Sequence, residues 1–189
     1  LASGLKLGAY SLSEPQSGSD ASNMKTFAEK NGNNFIVNGT KNWVTSGENS
    51  DLIIFFCKTE KGAGSKGISA FIVEKGTPGL TTGKKEEKLG IRASDTCELY
   101  FDNCEIPESN LIGNLGQGFS IAMQALGGGR IGIASQSVGL ARAALDKTIS
   151  YSQEREQFGQ VISKFGAIQN KIADMATNVE AARLLVMQA

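Results

Sequence analysis

The sequence predicts an α+β fold, in which an antiparallel β barrel or sandwich precedes long antiparallel helices. Three observations predict it. Short β-rich runs, separated by Gly, Asn, Ser and Pro clusters, fill the chain up to about Cys104 with no helical period between them. After Pro107 the apolar residues recur at steps of three and four instead of two. The chain has 189 residues, room for one ordinary domain or two small ones, and a compact chain of that size hides roughly 70% of its unfolded surface.

Taken in order, "FAEKNGNNFIVNG" alternates on either side of Asn-Gly and reads as a hairpin. "TKNWVTSG", "DLIIFFCKT", "GISAFIVEK" and "CELYFDNCEIP" are further strands. "EKGAGSKG" reads as a mobile loop of a hairpin, and "GKKEEK" as a solvated turn. In the second part a helical stretch runs from about Phe119 to Gln153, with Phe119, Ala122, Met123, Leu126, Ile133, Val138, Ala141, Leu145 and Ile149 apolar. A second helix begins near Phe165 and carries Ile168, Ile172, Met175, Val179, Ala182 and Val186 on one face. Helices this long usually pack as an antiparallel bundle, and their apolar stripe reads as core.

Composition excludes several chemistries. Lys plus Arg and Asp plus Glu both number 19, with no basic stripe, so a general electrostatic footprint for nucleic acid is absent. There is no histidine, which removes Ser-His-Asp and Cys-His catalysis and most mixed Cys/His metal sites. The cysteines Cys57, Cys97 and Cys104 include no C-x-x-C pair; Cys57 closes an apolar run and reads as a reduced core residue. No apolar run approaches the roughly 20 residues that span a bilayer, and the first residues lack the pattern of a signal peptide. "NGT" at Asn38 fits an N-glycosylation acceptor, but nothing else indicates secretion. The chain starts without Met, and "EAARLLVMQA" is still helix-like at the last residue, so we expect a piece of a longer protein.

The spacing G-x-G-x-x-G occurs at Gly127, Gly129 and Gly132, and again at Gly62, Gly64 and Gly67. A dinucleotide turn needs a strand before it and a helix after it. The first copy follows the helix-period segment "FSIAMQAL" and the second precedes a strand, so neither qualifies. Glycines inside a helix each cost about 1 kcal/mol relative to Ala, so "ALGGGRIGIASQ" implies a close approach of its backbone to a ligand or a neighbouring element.

An ordered series of motifs then resembles the acyl-CoA dehydrogenase family of flavoenzymes. It runs through "YSLSEPQSGSD", "NGTKNWVTSG", "KGISAFIVEKGTPG", "EKLGIRASDT", "IPESNLIGNLGQGF", "GGRIGIASQSVGLARAALD", "EREQFG" and "ADMATNVEAARLL", and covers essentially the whole chain. Its character is closest to the short-chain and short branched-chain members. The resemblance implies a middle β-barrel domain over 1–112, binding flavin and acyl-CoA, and the first two helices of an incomplete C-terminal bundle over 113–189. It further implies FAD as cofactor, a short-chain acyl-CoA as substrate in fatty acid β-oxidation, an electron-transfer flavoprotein as partner, and a homotetramer built as a dimer of dimers. The location implied is the mitochondrial matrix in a eukaryote or the cytoplasm in a bacterium.

Residue by residue, backbone at Tyr10, Leu12 and Ser13 lies on a strand edge and can offer N–H and C=O groups, which the resemblance aims at the flavin pyrimidine. Ser19, after Gly18, can approach a phosphate; the family places it against cofactor and the pantetheine arm of CoA. Trp43 and Thr45, two apart on a strand, share one face with Val44 turned away. The resemblance makes Trp43 the flavin wall and Thr45 the donor to N5; taken alone, Trp43 fits core packing equally well. Arg130, the only charge in its glycine-rich stretch, needs an anion or carboxylate, and the family sets it beside the acyl-CoA, with Gly127 where Asp is usual. Arg155 suits a pyrophosphate. Beside it, Gln157 and Phe158 complete a loop that, the resemblance implies, reaches the cofactor of a neighbouring subunit; Arg155 alone also fits a surface pair with Glu154 or Glu156. Gly166 stands where Gln is common in the family, so the resemblance implies one weaker adenosine contact. Asp95 and Glu98 are candidate acids but read more simply as solvated turn groups. Some relatives carry the catalytic Glu where Gly129 stands, so the base is expected beyond Ala189 and the 189 residues alone are expected to be inactive. An acyl-CoA oxidase of the same fold and a non-catalytic acyl-CoA-binding scaffold are the alternatives the residues leave open.

Overall fold

The computed structural model describes all residues, 1–189. The chain divides into two units, Leu1–Gln124 and Ala125–Ala189. The first is built on strands β1 (Gly8–Ser11), β2 (Phe27–Asn31), β3 (Asn34–Thr45), β4 (Leu52–Lys58), β5 (Ile68–Glu74), β6 (Leu80–Thr82), β7 (Thr96–Pro107) and β8 (Leu111–Ile112). They form one sheet in the order β6-β7-β3-β2-β4-β5-β8, with β1 alongside β4.

The predicted hairpin is present. Asn31 pairs with Asn34, leaving Gly32 and Asn33 as the loop. Gly32 takes φ +59 while Asn33 stays out of the positive region, the pattern of a type II′ turn, whose first central residue is Gly. The α+β class and most antiparallel pairings hold, but the sheet is open and mixed instead of a closed antiparallel barrel. β6 and β8 end the path without pairing to each other. β1 runs parallel to β4 from Gly8 beside Leu52 to Ser11 beside Phe55, and β2 meets β4 in parallel at Phe27 and Lys58. Turn residues report hairpins between neighbours in sequence; they carry no signal for a parallel partner reached through a long crossover.

The run "LIIFFC" is apolar throughout because β4 is buried on both faces. Ile53, Phe55 and Cys57 enter a core with Phe35, Val37, Val44, Phe71, Leu99 and Phe101. Phe56 enters a second cluster with Met24, Ile68, Ala70 and Ala122, against which Ile54 packs. All three cysteines are buried and reduced, as expected for Cys57. The "EKGAGSKG" segment is the expected loop of a hairpin, joining β4 to β5; within it Gly64–Gly67 form a 3₁₀ turn, and the Thr59 N–H donates to Gly67 O at 2.8 Å. Asn38 is engaged in the sheet, its Oδ1 accepting the Asn103 N–H at 2.8 Å.

Helix α1 spans Gly118–Glu154 and α2 spans Gly166–Gln188. Gly118 is required by packing: a Cβ there would lie 2.5 Å from the Ser69 carbonyl carbon. Between the helices, β9 (Glu156–Gln157) and β10 (Gln160–Val161) form a small antiparallel hairpin. The helices of the second unit run antiparallel, since Arg130 and Ile131 share a groove with Leu185 and Val186 while Ala141 shares one with Asn178. Every residue of the predicted α2 stripe is buried or half-buried. In α1, Leu145 is buried as expected, whereas Ile133 is 65% exposed. Two helices bury one stripe each and leave the remaining apolar positions outward. Neither helix is long and apolar enough to cross a membrane.

Candidate functional site

One residue singled out in the first unit, Leu12, meets a buried ion pair. Lys41 lies within β3, and its ammonium bonds Glu14 Oε1 at 2.8 Å and the Leu12 carbonyl at 3.0 Å. Both side chains are shut off from water. The Glu14 carboxylate also accepts the N–H groups of Lys25 and Thr26 and the Gln16 side-chain amide at 2.6 Å. Burial pushes the Glu14 pKa up, but the Lys41 ammonium and the donors from Lys25 and Thr26 outweigh it, and the carboxyl is held below its usual range. Burial lowers the Lys41 pKa, opposed by Glu14. Sequence reasoning missed both residues. The available signal was a lysine at position 41 in the inward phase set by Phe35 and Val37.

The strand does not continue regularly past Lys41. Lys41 pairs with Leu99 and Val44 with Cys97, so three steps on β3 match two on β7. The extra residue makes a β-bulge and shifts the side-chain phase by one. Val44 points into the core, while Trp43 is 59% exposed and Thr45 is also exposed. The expected sharing of one face by Trp43 and Thr45 is present, and the core-packing alternative for Trp43 is not.

Trp43 adopts φ +59 and Ser46 φ +61. For a bulky residue this region costs about 1–3 kcal/mol and persists only where surrounding structure imposes it. Here the Asn42 carboxamide oxygen accepts the Trp43 N–H at 2.8 Å, and the Asp95 carbonyl accepts the Ser46 N–H at 3.0 Å. Asp95 is buried, not solvated as expected; its carboxylate receives the Glu48 N–H and the Asn49 amide, each at 2.9 Å. Burial raises its pKa, but these bonds prevail and hold it low. Glu98 is half-buried and accepts the Tyr100 hydroxyl. Replacing Trp43 with glycine should leave the protein at least as stable in urea unfolding, because strain is relieved and little packing is lost. A loss above about 1 kcal/mol would show that the indole packs as core.

Leu12 and Ser13 follow β1 and lie against this bulge. The Ser13 carbonyl accepts the Asn42 N–H at 2.8 Å, and Leu12 O accepts Lys41. The N–H groups of Leu12 and Ser13 donate to no protein acceptor. These free donors therefore sit beside Asn42, the residue that precedes the exposed Trp43. The Tyr10 ring turns away, packing on Phe56 at 5.2 Å, with its hydroxyl on the Ala122 carbonyl at 3.4 Å. Burial pushes that phenol up to about 12. Ser19 and Gly18 are exposed on a turn closed by the Glu14–Ser17 bridge and by Ser17 Oγ on Asp20 O at 2.7 Å.

In the second unit α1 continues unbroken through Gly127, Gly128 and Gly129, and nothing lies within 4 Å of where their Cβ atoms would be. The expected close neighbour is not supplied by this chain. Arg130 is exposed and pairs with no carboxylate; it borders grooves lined by Leu126, Ile133, Leu185 and Val186. Arg155 and Gln157 are exposed, and Arg155 forms no ion pair with Glu154 or Glu156. Phe158 and Gly159 take φ +52 and +77, the signature of a type I′ turn, which ordinarily selects Asn or Gly at the first position. A phenylalanine is held there instead, 93% exposed at the hairpin tip.

Two family models match the chain: acyl-CoA dehydrogenase, middle domain, over residues 9–104, and acyl-CoA dehydrogenase, C-terminal domain, over residues 116–189. The chain belongs to the acyl-CoA dehydrogenase family. A curated acyl-CoA dehydrogenase of Bacillus subtilis (strain 168) is 53% identical over 100% of this chain and 50% of its own length. The solved butyryl-CoA dehydrogenase of Megasphaera elsdenii superposes with TM-score 0.93 at 49% identity, covering 97% of this chain and 48% of its own. A chain from a structure described as an electron transferring flavoprotein of Acidaminococcus fermentans, with flavin-based electron bifurcation, superposes with TM-score 0.95 at 51% identity over 99% of this chain and 49% of its own. The chain thus spans about half the length of the relatives it matches.

Proposed function

We propose that the complete protein is an FAD-dependent acyl-CoA dehydrogenase that oxidises a short-chain acyl-CoA to the trans-2-enoyl-CoA. The observation that carries this reading is the free N–H pair of Leu12 and Ser13 beside Trp43, a bulky residue kept exposed in a strained conformation. Strain of this kind gathers at ligand sites. The relatedness to a butyryl-CoA dehydrogenase supports the substrate class.

FAD, when bound, supplies a two-electron acceptor for oxidation of the Cα–Cβ bond of the thioester. The Leu12 and Ser13 amides and the Ser13 hydroxyl bind the pyrimidine edge of the flavin. Trp43 covers the ring system and keeps water from it, and the Thr45 hydroxyl donates to N5. Ser19, free on its turn, reaches cofactor phosphate and the pantetheine arm. Gly127 leaves room for the acyl-CoA beside α1, and Arg130 offers that region its cation. Arg155, Gln157 and Phe158 hold the pyrophosphate and adenine of the cofactor in a second copy, which requires at least a dimer and suits a dimer of dimers. Gly129 can neither hold nor move a proton, and the family resemblance puts the base that removes the α-proton outside residues 1–189.

Electrons leave to an electron-transfer flavoprotein, in a mitochondrial matrix or a bacterial cytoplasm. The test is to purify the complete protein, measure its flavin content and compare acceptors after substrate reduction. FAD near one per chain, reoxidised by an electron-transfer flavoprotein much faster than by oxygen, is expected. Fast reoxidation by oxygen would make the protein an oxidase, and absence of flavin would make it a scaffold.

A further inference from the structure

We infer that the buried Glu14–Lys41 pair is a positioning device for the flavin-facing edge, fixing the peptide that joins Leu12 to Ser13 and polarising its N–H. The inference rests on the FAD reading above. A buried ion pair does not by itself favour folding over an apolar pair of similar volume, so its presence in the interior asks for another role. The geometry supplies one. The Lys41 ammonium donates to the Leu12 carbonyl at 3.0 Å. That carbonyl and the Ser13 N–H belong to one peptide group, and a cation on the oxygen draws charge from the nitrogen at the other end. The unpartnered Ser13 N–H becomes a stronger donor toward whatever lies outside.

The next residue on β3 continues the attachment. The Asn42 N–H donates to the Ser13 carbonyl at 2.8 Å, and the Asn42 side chain accepts the N–H of Trp43 at 2.8 Å. Residues 12–13 are therefore stapled to 41–42, one residue before the bulge that presents Trp43. Glu14 anchors the staple from beneath, since it binds Lys41 together with the Lys25 and Thr26 amides. Donor edge and aromatic wall are held by a single network, so they keep a fixed relation to each other. Lys41 touches no outward-facing atom; it acts through the Leu12–Ser13 peptide.

The test uses the complete holoprotein with two variants. Glu14→Gln/Lys41→Met removes the charges while keeping side-chain length, and Val37→Ala weakens the same unit from a fully buried position that the staple does not include. Both are compared with wild type at a temperature where all are folded, by FAD dissociation constant and flavin reduction potential. The expected result is at least tenfold weaker FAD binding and a lower potential in the double variant. Val37→Ala should keep wild-type values for both despite a lower melting temperature. Wild-type binding and potential in the double variant would overturn the inference, and so would FAD loss in both variants in proportion to their loss of stability. If the double variant does not fold, Glu14→Gln alone is read by the same criteria. A wild-type protein that binds no FAD would instead remove the flavin reading, and this inference with it.

Discussion

Replacing Lys41 with methionine is expected to destabilise the first unit by about 3–5 kcal/mol, the usual cost of leaving one member of a buried ion pair without its partner. The Glu14 carboxylate would keep its donors from Lys25 and Thr26 but lose its only cation in a site closed to water. Adding Glu14→Leu should recover most of the loss, because the pair as a whole contributes little relative to apolar side chains. The pH dependence has a definite sign. The folded-state pKa of Glu14 lies below its unfolded value, so its contribution is fully present above the ordinary carboxylate range. That contribution is lost as the pH falls through the folded-state value. Urea unfolding between pH 7 and pH 3 should show this acid sensitivity in the wild type and a smaller one in the Glu14→Leu/Lys41→Met pair. An unchanged midpoint for Lys41→Met would contradict the burial and partnering described for these residues.

Phe55→Ala is expected to cost about 3–5 kcal/mol, as large-to-small changes of core aromatics do. Phe55 is fully buried. Its ring lies 5.8 Å from that of Phe71 and 4.7 Å from that of Phe101, and Phe71 in turn meets Phe35 at 5.0 Å. The four rings join β3, β4, β5 and β7 inside the sheet, so a cavity at the centre is lined by strands that cannot close on it independently. Phe55→Leu, which retains most of the volume, should cost less than half as much. A loss under about 1 kcal/mol for the alanine variant, measured by chemical unfolding, would mean that the core is not closed around this ring.

The sequence made the strands and the helices legible because their periods differ. The α2 stripe at Ile168, Ile172, Met175, Val179, Ala182 and Val186 is the clearest case, since each of these residues is buried or half-buried in the structure. The Gly32 turn was legible because few residues tolerate its backbone. The mixed pairing of the sheet was not, because β1 and β2 find β4 across long crossovers that leave no local mark. The bulge at Trp43 was hidden for a related reason: one extra residue on β3 shows only once β7 is aligned beside it. Alternation alone would have put Lys41, Trp43 and Thr45 on the same face, yet Lys41 is buried and the other two are exposed. The motif residues Leu12, Ser13, Trp43 and Thr45 were singled out, whereas Glu14 and Lys41, buried against Leu12, were overlooked inside the same motifs. A charged residue reads as surface until its partner is seen.

The central claim is that these residues frame a flavin site at which a short acyl thioester is oxidised. The most direct measurement is an anaerobic titration of the complete protein with butyryl-CoA, followed through the visible flavin absorbance. Bleaching of that absorbance in the wild type, and weaker FAD retention in Trp43→Gly without loss of fold, is the result predicted here. Flavin absorbance unaffected by butyryl-CoA and by longer acyl-CoAs, or full FAD retention in Trp43→Gly, would contradict it.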